Sequence, residues 1–175
     1  MSKDYPTFDE KFSVALIELG IRALLLGGVA CNIYGSTRYS EDVDWWIDPT
    51  KGIKAWIESV LHVCEHTKER WEIVRLRDHA LLGSQEAFQL NRDRLVKIVK
   101  TDALLRFQTK ESMVDAFFLP NNLEDFEMAW SRSQAWDGSL RVLHMEDLIQ
   151  TKMGTHRHKD LEDLRFLRRI PKRSN

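Results

Sequence analysis

The stretch from Leu24 to Asp48, LLLGGVACNIYGSTRYSEDVDWWID, constrains this chain more than any other. Its short apolar run Leu24-Leu25-Leu26 stops at Gly27-Gly28 and gives way to Val29–Tyr34, room for one or two helical turns. That is the pattern of a strand, a glycine turn and a helix. Glycines let the backbone turn sharply and let another group come close, and the first free N–H groups of a helix form an anion site that suits a phosphate. Beyond Gly35 lies a polar segment with Ser36, Thr37, Arg38 and Ser40, after which Asp42-Val43-Asp44 opens a second apolar run through Trp45, Trp46 and Ile47.

In a strand, residues i and i+2 share a face about 6.5–7 Å apart, so Asp42 and Asp44 project together while Val43, Trp45 and Ile47 face the other way. Two carboxylates on one face suit a hard divalent cation such as Mg²⁺, which prefers oxygen ligands and keeps waters or phosphate oxygens in its other positions. A third acid, Asp115, lies inside the apolar run Met113 to Phe118, where a lone carboxylate is expensive to bury unless it is paired or bound to metal. A salt-bridged or strand-end aspartate is the structural alternative, and the metal-bound reading is favoured over it. If the three acids converge, each pair of like charges near 4 Å costs on the order of 4 kcal/mol at an effective dielectric near 20. Such a site wants a cation.

The order Gly27-Gly28, short helix, Gly35, Arg38 and Asp42-x-Asp44 resembles the nucleotidyltransferase superfamily, the fold of DNA polymerase beta. It is most similar to the small bacterial branch: minimal nucleotidyltransferases, lincosamide and aminoglycoside adenylyltransferases, and abortive-infection nucleotidyltransferase toxins. The resemblance spans roughly residues 20 to 170, with its specific part between 24 and 48. Many members carry Gly-Ser where this chain has Gly27-Gly28, although Gly-Gly also occurs in the small branch.

The resemblance implies an α/β (α+β) nucleotidyltransferase fold, a small mixed sheet flanked by helices with C-terminal helices closing the cleft. It implies transfer of a nucleoside monophosphate, AMP from ATP, to a hydroxyl on a small molecule, a protein or an RNA end, with release of pyrophosphate. Two Mg²⁺ ions, or Mn²⁺, would then be held by Asp42, Asp44 and Asp115, with Asp115 also taking the acceptor's proton. Gly27 and Gly28 would hold the beta and gamma phosphates, with Ser36, Thr37, Arg38 or Ser40 adding donors. Among these Arg38 stands out, because a guanidinium recognises phosphate bidentately; a salt bridge to Glu41 or Asp42 is the structural alternative. In the branch a lysine-bearing helix precedes an Arg-x-Lys-Asp start to the last helix, and Lys152, Arg157, Lys159 and Asp160 occupy those positions. Lys152 is thereby a phosphate ligand, and Asp160 a residue that favours a helix N-terminus. The toxin members imply a cognate antitoxin as a partner.

Two readings from other classes compete. One is a non-catalytic nucleotide-binding or toxin–antitoxin interaction module that keeps the fold; three retained acids count against it. The other is a metal-dependent phosphohydrolase, which gives no reason for Gly27-Gly28 to precede the acids.

At 175 residues the chain is expected to form one domain, with residues 1–144 as the sheet-containing core and 145–170 as a C-terminal helical segment. The N-terminus MSKDYPTFDE is not basic then apolar, and no apolar run approaches the roughly 18 residues of a membrane span. The cytoplasm is the default expectation. Lys152 to Arg173 carries eight Lys/Arg against three Asp/Glu although the whole chain stands at −1. A basic last helix can simply complement its own dipole.

Thr7 and Glu10 read as a capping box for a helix reaching Gly20, and the apolar stripe Ile53, Trp56, Ile57, Val60, Leu61 and Cys64 predicts a helix within Lys51–Lys68. Strands are expected at Trp71–Leu76, Leu95–Val99, Met113–Phe118 and Leu140–Leu143, with Leu104–Phe107 pairing between Leu95–Val99 and Met113–Phe118. Within Asp78–Leu90, Leu81-Leu82-Gly83 resembles a loop or short helix. Helices follow at Leu123–Arg132, from Met145 to about Met153, and at Lys159–Arg169. Cys31 and Cys64 read as small buried thiols, and Trp45 and Trp46 as packing residues. His62 and His66 do not form a zinc pattern, and no Walker loop, nucleophile elbow or dinucleotide fingerprint is present.

Overall fold

The fold is that of a computed structural model, which describes residues 6–89, 91–137 and 140–171. In chain order the elements are α1 (Phe8–Glu18), β1 (Ala23–Leu26), α2 (Gly27–Ile33), β2 (Asp42–Ile47), α3 (Ile53–His66), β3 (Glu72–Val74), β4 (Leu81–Ser84) and α4 (Gln85–Gln89). Then come α5 (Arg92–Asp102), β5 (Leu104–Gln108), β6 (Met113–Phe117), α6 (Phe126–Arg132), β7 (Gln134–Asp137), β8 (Leu140–Val142), α7 (Met145–Lys152) and α8 (His158–Leu167).

The strands form one mixed sheet in the order β4-β3-β5-β6-β2-β1-β8-β7. Strand β2 lies at its centre, antiparallel to β1 and parallel to β6, while β5 runs antiparallel to β6. The expected α+β architecture of a mixed sheet with flanking helices is present, with eight strands. All four residues of β1 are buried, which is why its alternation is invisible in sequence: a central strand covered on both faces reads as an unbroken apolar run.

Trp45, Trp46, Trp56 and Trp71 are all buried, and the Trp46 ring meets Phe126 edge-on at 5.1 Å while its Nε1–H donates to the Phe118 carbonyl at 3.2 Å. Both strand tryptophans therefore pack the core, as expected. The Glu10 carboxylate accepts from the Thr7 backbone N–H at 2.9 Å, one arm of the expected capping box.

Two expectations between residues 78 and 108 are corrected. Leu95–Val99 is helical, not a strand: Asn91 Oδ1 accepts from the Arg94 N–H at 3.1 Å and starts α5, and the buried pair Leu95 and Val99 stand one helical turn apart on its inner face. The alternation in LVKIV is shared by both periods, and the surrounding Arg92, Asp93, Arg94, Lys97 and Lys100 belong to a helix with one wet side. Leu81-Leu82-Gly83 is part of strand β4, held only along one edge by β3, so it needs no strict alternation. Strand β7 also escaped the sequence reading. Leu104–Phe107 pairs with β6 as expected, but its other partner is β3 rather than Leu95–Val99, which is helical.

No helix among the described residues is long and apolar enough to cross a membrane.

Candidate active site

The centre of the sheet aligns three charged residues in one row. Arg106 of β5 stands opposite Asp115 of β6, and Asp115 stands opposite Asp44 of β2. Residues directly opposed on neighbouring strands project from the same face, so register alone brings these side chains together. Asp42, two residues before Asp44, shares that face. One oxygen from each of Asp42, Asp44 and Asp115 lies within 4.8 Å of the others, the only such cluster capable of holding a metal ion among the described residues.

The three acids are not equivalent. Asp115, 2% exposed, accepts from Arg106 Nε at 2.6 Å and from Nη2 at 2.6 Å, and the same Nη2 donates to Asp42 Oδ2 at 2.9 Å. Asp44, 8% exposed, has no hydrogen-bond donor among the described residues. Burial first, and then the charges of Asp115 and Asp42, push the Asp44 carboxyl well above the usual carboxylate range. Burial also raises Asp115, against the pull of Arg106 in the other direction.

The glycine turn fits against these acids. Gly27 has φ +67°, and a Cβ on it would stand 1.7 Å from Asp44 Oδ2. A Cβ on Gly28 would meet Ser40 Oγ at 2.4 Å and Arg38 Nη2 at 2.6 Å. A side chain at either position would displace its neighbours, Asp44 at Gly27 and Ser40 and Arg38 at Gly28.

A cleft of about 670 Å³ opens over the row. Of the residues singled out in the sequence, Gly27, Gly28, Arg38, Ser40, Asp42, Asp44, Asp115 and Lys152 all line it. Ser36 and Thr37 do not; Ser36 Oγ instead accepts from the Arg38 backbone N–H at 3.3 Å. His156, Arg157, Lys159 and Asp160 complete the far wall at the start of α8. His66 Nε2 lies 2.8 Å from Glu18 Oε2. A second cleft of about 490 Å³ at the β3–β4 edge contains no comparable cluster.

The wall is built on buried ion pairs. Arg38 donates through Nε and Nη2 to the two oxygens of Asp163 at 2.9 and 3.0 Å, and Lys152 Nζ lies 2.7 Å from Asp163 and 3.3 Å from Asp160. Arg38 thus pairs with neither Glu41 nor Asp42 as its main partner. Asp160, near the N-terminus of α8, also accepts from Thr155 Oγ1 at 2.6 Å and Arg157 Nε at 2.7 Å.

Arg106 and Asp163 went unnoticed in the sequence. Arg106 carried the signal that exposed Asp115, a lone charge inside an apolar strand, LLRFQ. Asp163 follows Asp160 at the helical spacing of three, on the same inward face.

No protein-family model matches the chain, and no curated protein matches its sequence. Its structure is similar to the solution structure of the antibiotic-resistance factor ANT(2'')-Ia, an aminoglycoside nucleotidyltransferase, with a TM-score of 0.51 and 12% identity over 91% of this chain and 80% of that chain. At that identity the likeness establishes a nucleotidyltransferase-like fold.

Proposed function

We propose that this chain is a metal-dependent nucleotidyltransferase that moves AMP from ATP to a hydroxyl acceptor and releases pyrophosphate. The observation that carries the reading is Asp44: a carboxylate nine-tenths buried, without a hydrogen-bond donor, beside two other acids and beneath a glycine that only a missing Cβ allows. Such a group is costly to keep unless a cation completes it.

The donor set is hard oxygen, which fits Mg²⁺ or Mn²⁺, and Asp42 and Asp44 would hold the ion. When bound, it neutralises charge on the transferring phosphate as that charge develops. Arg38 and Lys152, held by Asp163, supply cationic groups for the triphosphate, and Arg38 and Ser40 Oγ place donors beside Gly28. Gly28 lets a phosphate approach the backbone. The acceptor oxygen forms a bond to the alpha phosphorus, and the bond from that phosphorus to the bridging oxygen breaks with its electron pair leaving on pyrophosphate. The acceptor's proton passes to Asp115, whose oxygens each keep a lone pair beyond the one directed at Arg106. We take residues 1–175 as one domain.

The test is calorimetric titration of ATP with and without Mg²⁺, on the wild type and on Asp42→Asn and Asp44→Asn. Mg²⁺-dependent binding that both substitutions abolish is the expected result. One observation favours a second reading, a non-catalytic nucleotide-binding or interaction module: Arg106 already neutralises Asp115. Absence of binding by any nucleoside triphosphate would move the conclusion to an interaction module of the same fold.

A further inference from the structure

Resting on that reading, we propose that the Arg106 guanidinium occupies the place of a second divalent ion, so that the site binds one Mg²⁺ or Mn²⁺ where two are expected from the resemblance.

Arg106 bridges carboxylates as an ion would. Its Nη2 lies 2.6 Å from Asp115 Oδ2 and 2.9 Å from Asp42 Oδ2, while Nε takes Asp115 Oδ1 at 2.6 Å. A divalent ion shared by Asp42 and Asp115 would stand directly against that guanidinium, one cation beside another.

The guanidinium is also built in. Arg106 is 6% exposed, and its strand is paired on both sides, with Val74 on β3 and Asp115 on β6. Swinging the side chain aside would strand a buried cation and expose two carboxylates to each other. Arginine, unlike histidine or lysine, cannot escape by losing its proton.

The charge and the free ligands then suit one ion. Three carboxylates against one guanidinium leave two negative charges, which a single divalent cation neutralises. The oxygens that Arg106 does not take are both those of Asp44 and Oδ1 of Asp42, the latter only at 3.4 Å from Ser40 Oγ. Asp44 alone lacks a donor, so it is the carboxylate left waiting for the ion. Waters and triphosphate oxygens can fill the remaining positions of one Mg²⁺.

The inference has a spectroscopic test. Full-length protein is titrated with Mn²⁺ in the presence of saturating α,β-methylene-ATP, which cannot transfer its nucleotide, and bound Mn²⁺ is read by electron paramagnetic resonance. The wild type is expected to bind one Mn²⁺ per chain with the six-line spectrum of an isolated ion. Arg106→Gln, which keeps polarity and loses the charge, is expected to bind two, with the spin-coupled spectrum of ions about 3.5–4 Å apart. Arg106→Lys keeps a cation and is expected to stay at one.

Two coupled ions in the wild type overturn this inference and leave the nucleotidyltransferase reading standing. A single ion in a folded Arg106→Gln protein also overturns it. No Mn²⁺ bound to the wild type at all overturns both. If Arg106→Gln does not fold, the wild-type and Arg106→Lys stoichiometries decide alone.

Discussion

Arg106 and Asp115 face each other across the β5–β6 register and meet through two parallel hydrogen bonds of 2.6 Å. Removing one member of a buried pair costs far more than the pair contributes, because the partner is left charged and dry; about 3–5 kcal/mol is typical. Arg106→Met should therefore lower the metal-free stability by about that amount, measured as a shift in urea midpoint. Adding Mg²⁺ should return part of the loss, since the vacated oxygens become ligands. A variant as stable as the wild type without metal would mean that Asp115 is not charged in the folded protein.

Gly27 and Gly28 make different predictions although they are adjacent. Gly27→Ala meets a left-handed φ, costing about 1–2 kcal/mol, and a Cβ 1.7 Å from Asp44 Oδ2. Asp44 must leave its place, so Mn²⁺ binding should be lost along with some stability. At Gly28 the added Cβ meets the side chains of Ser40, at Oγ and Cβ, and Arg38, at Nη2, rather than backbone, so these must shift to admit it. Gly28→Ala should fold, keep its Mn²⁺ and bind triphosphate more weakly; unchanged triphosphate affinity would remove Gly28 from the phosphate site.

Asp44→Asn should stabilise the metal-free protein while abolishing metal-dependent nucleotide binding. Burial and the charges of Asp115 and Asp42 raise the Asp44 carboxyl in the folded state. Between the ordinary carboxylate pKa near 4 and that raised value, the folded chain holds a proton that the unfolded chain has released, so stability falls as pH rises. Asparagine does not titrate. The variant's advantage should be absent below about pH 4 and grow above it, a gain of about 1 kcal/mol appearing as roughly 2–4 °C in Tm. Loss of stability in Asp44→Asn at neutral pH without metal would show that the site tolerates the charge.

Asp163 predicts the opposite pH dependence. Burial acts to raise its carboxyl, but hydrogen bonds from Arg38 and Lys152 outweigh burial and hold it below its ordinary value. A lowered folded pKa contributes stability that is present above the unfolded pKa and is lost as pH falls through the folded one. Asp163→Asn should cost about 3–5 kcal/mol at neutral pH, with the two proteins converging below about pH 4. It should also weaken triphosphate binding, because Arg38 and Lys152 lose the group that fixes them on the cleft wall. Mn²⁺ binding without nucleotide should be unaffected.

Local pattern and tertiary contact divide this protein between them. The chain by itself determined the strand–glycine–helix turn at Leu24–Tyr34, the shared face of Asp42 and Asp44, and the oddity of Asp115, because each follows from residues that are neighbours in sequence or from the period of a strand. It could not separate strand from helix at Leu95–Val99, where five residues satisfy both periods and the cap at Asn91 decides. Only the tertiary structure placed Arg106 against Asp115 and Asp163 between Arg38 and Lys152, with Arg38 and Asp163 125 residues apart in the chain. Which charges meet depends on sheet register and on where α8 docks, and both are set by burial of the whole core rather than by any segment read alone.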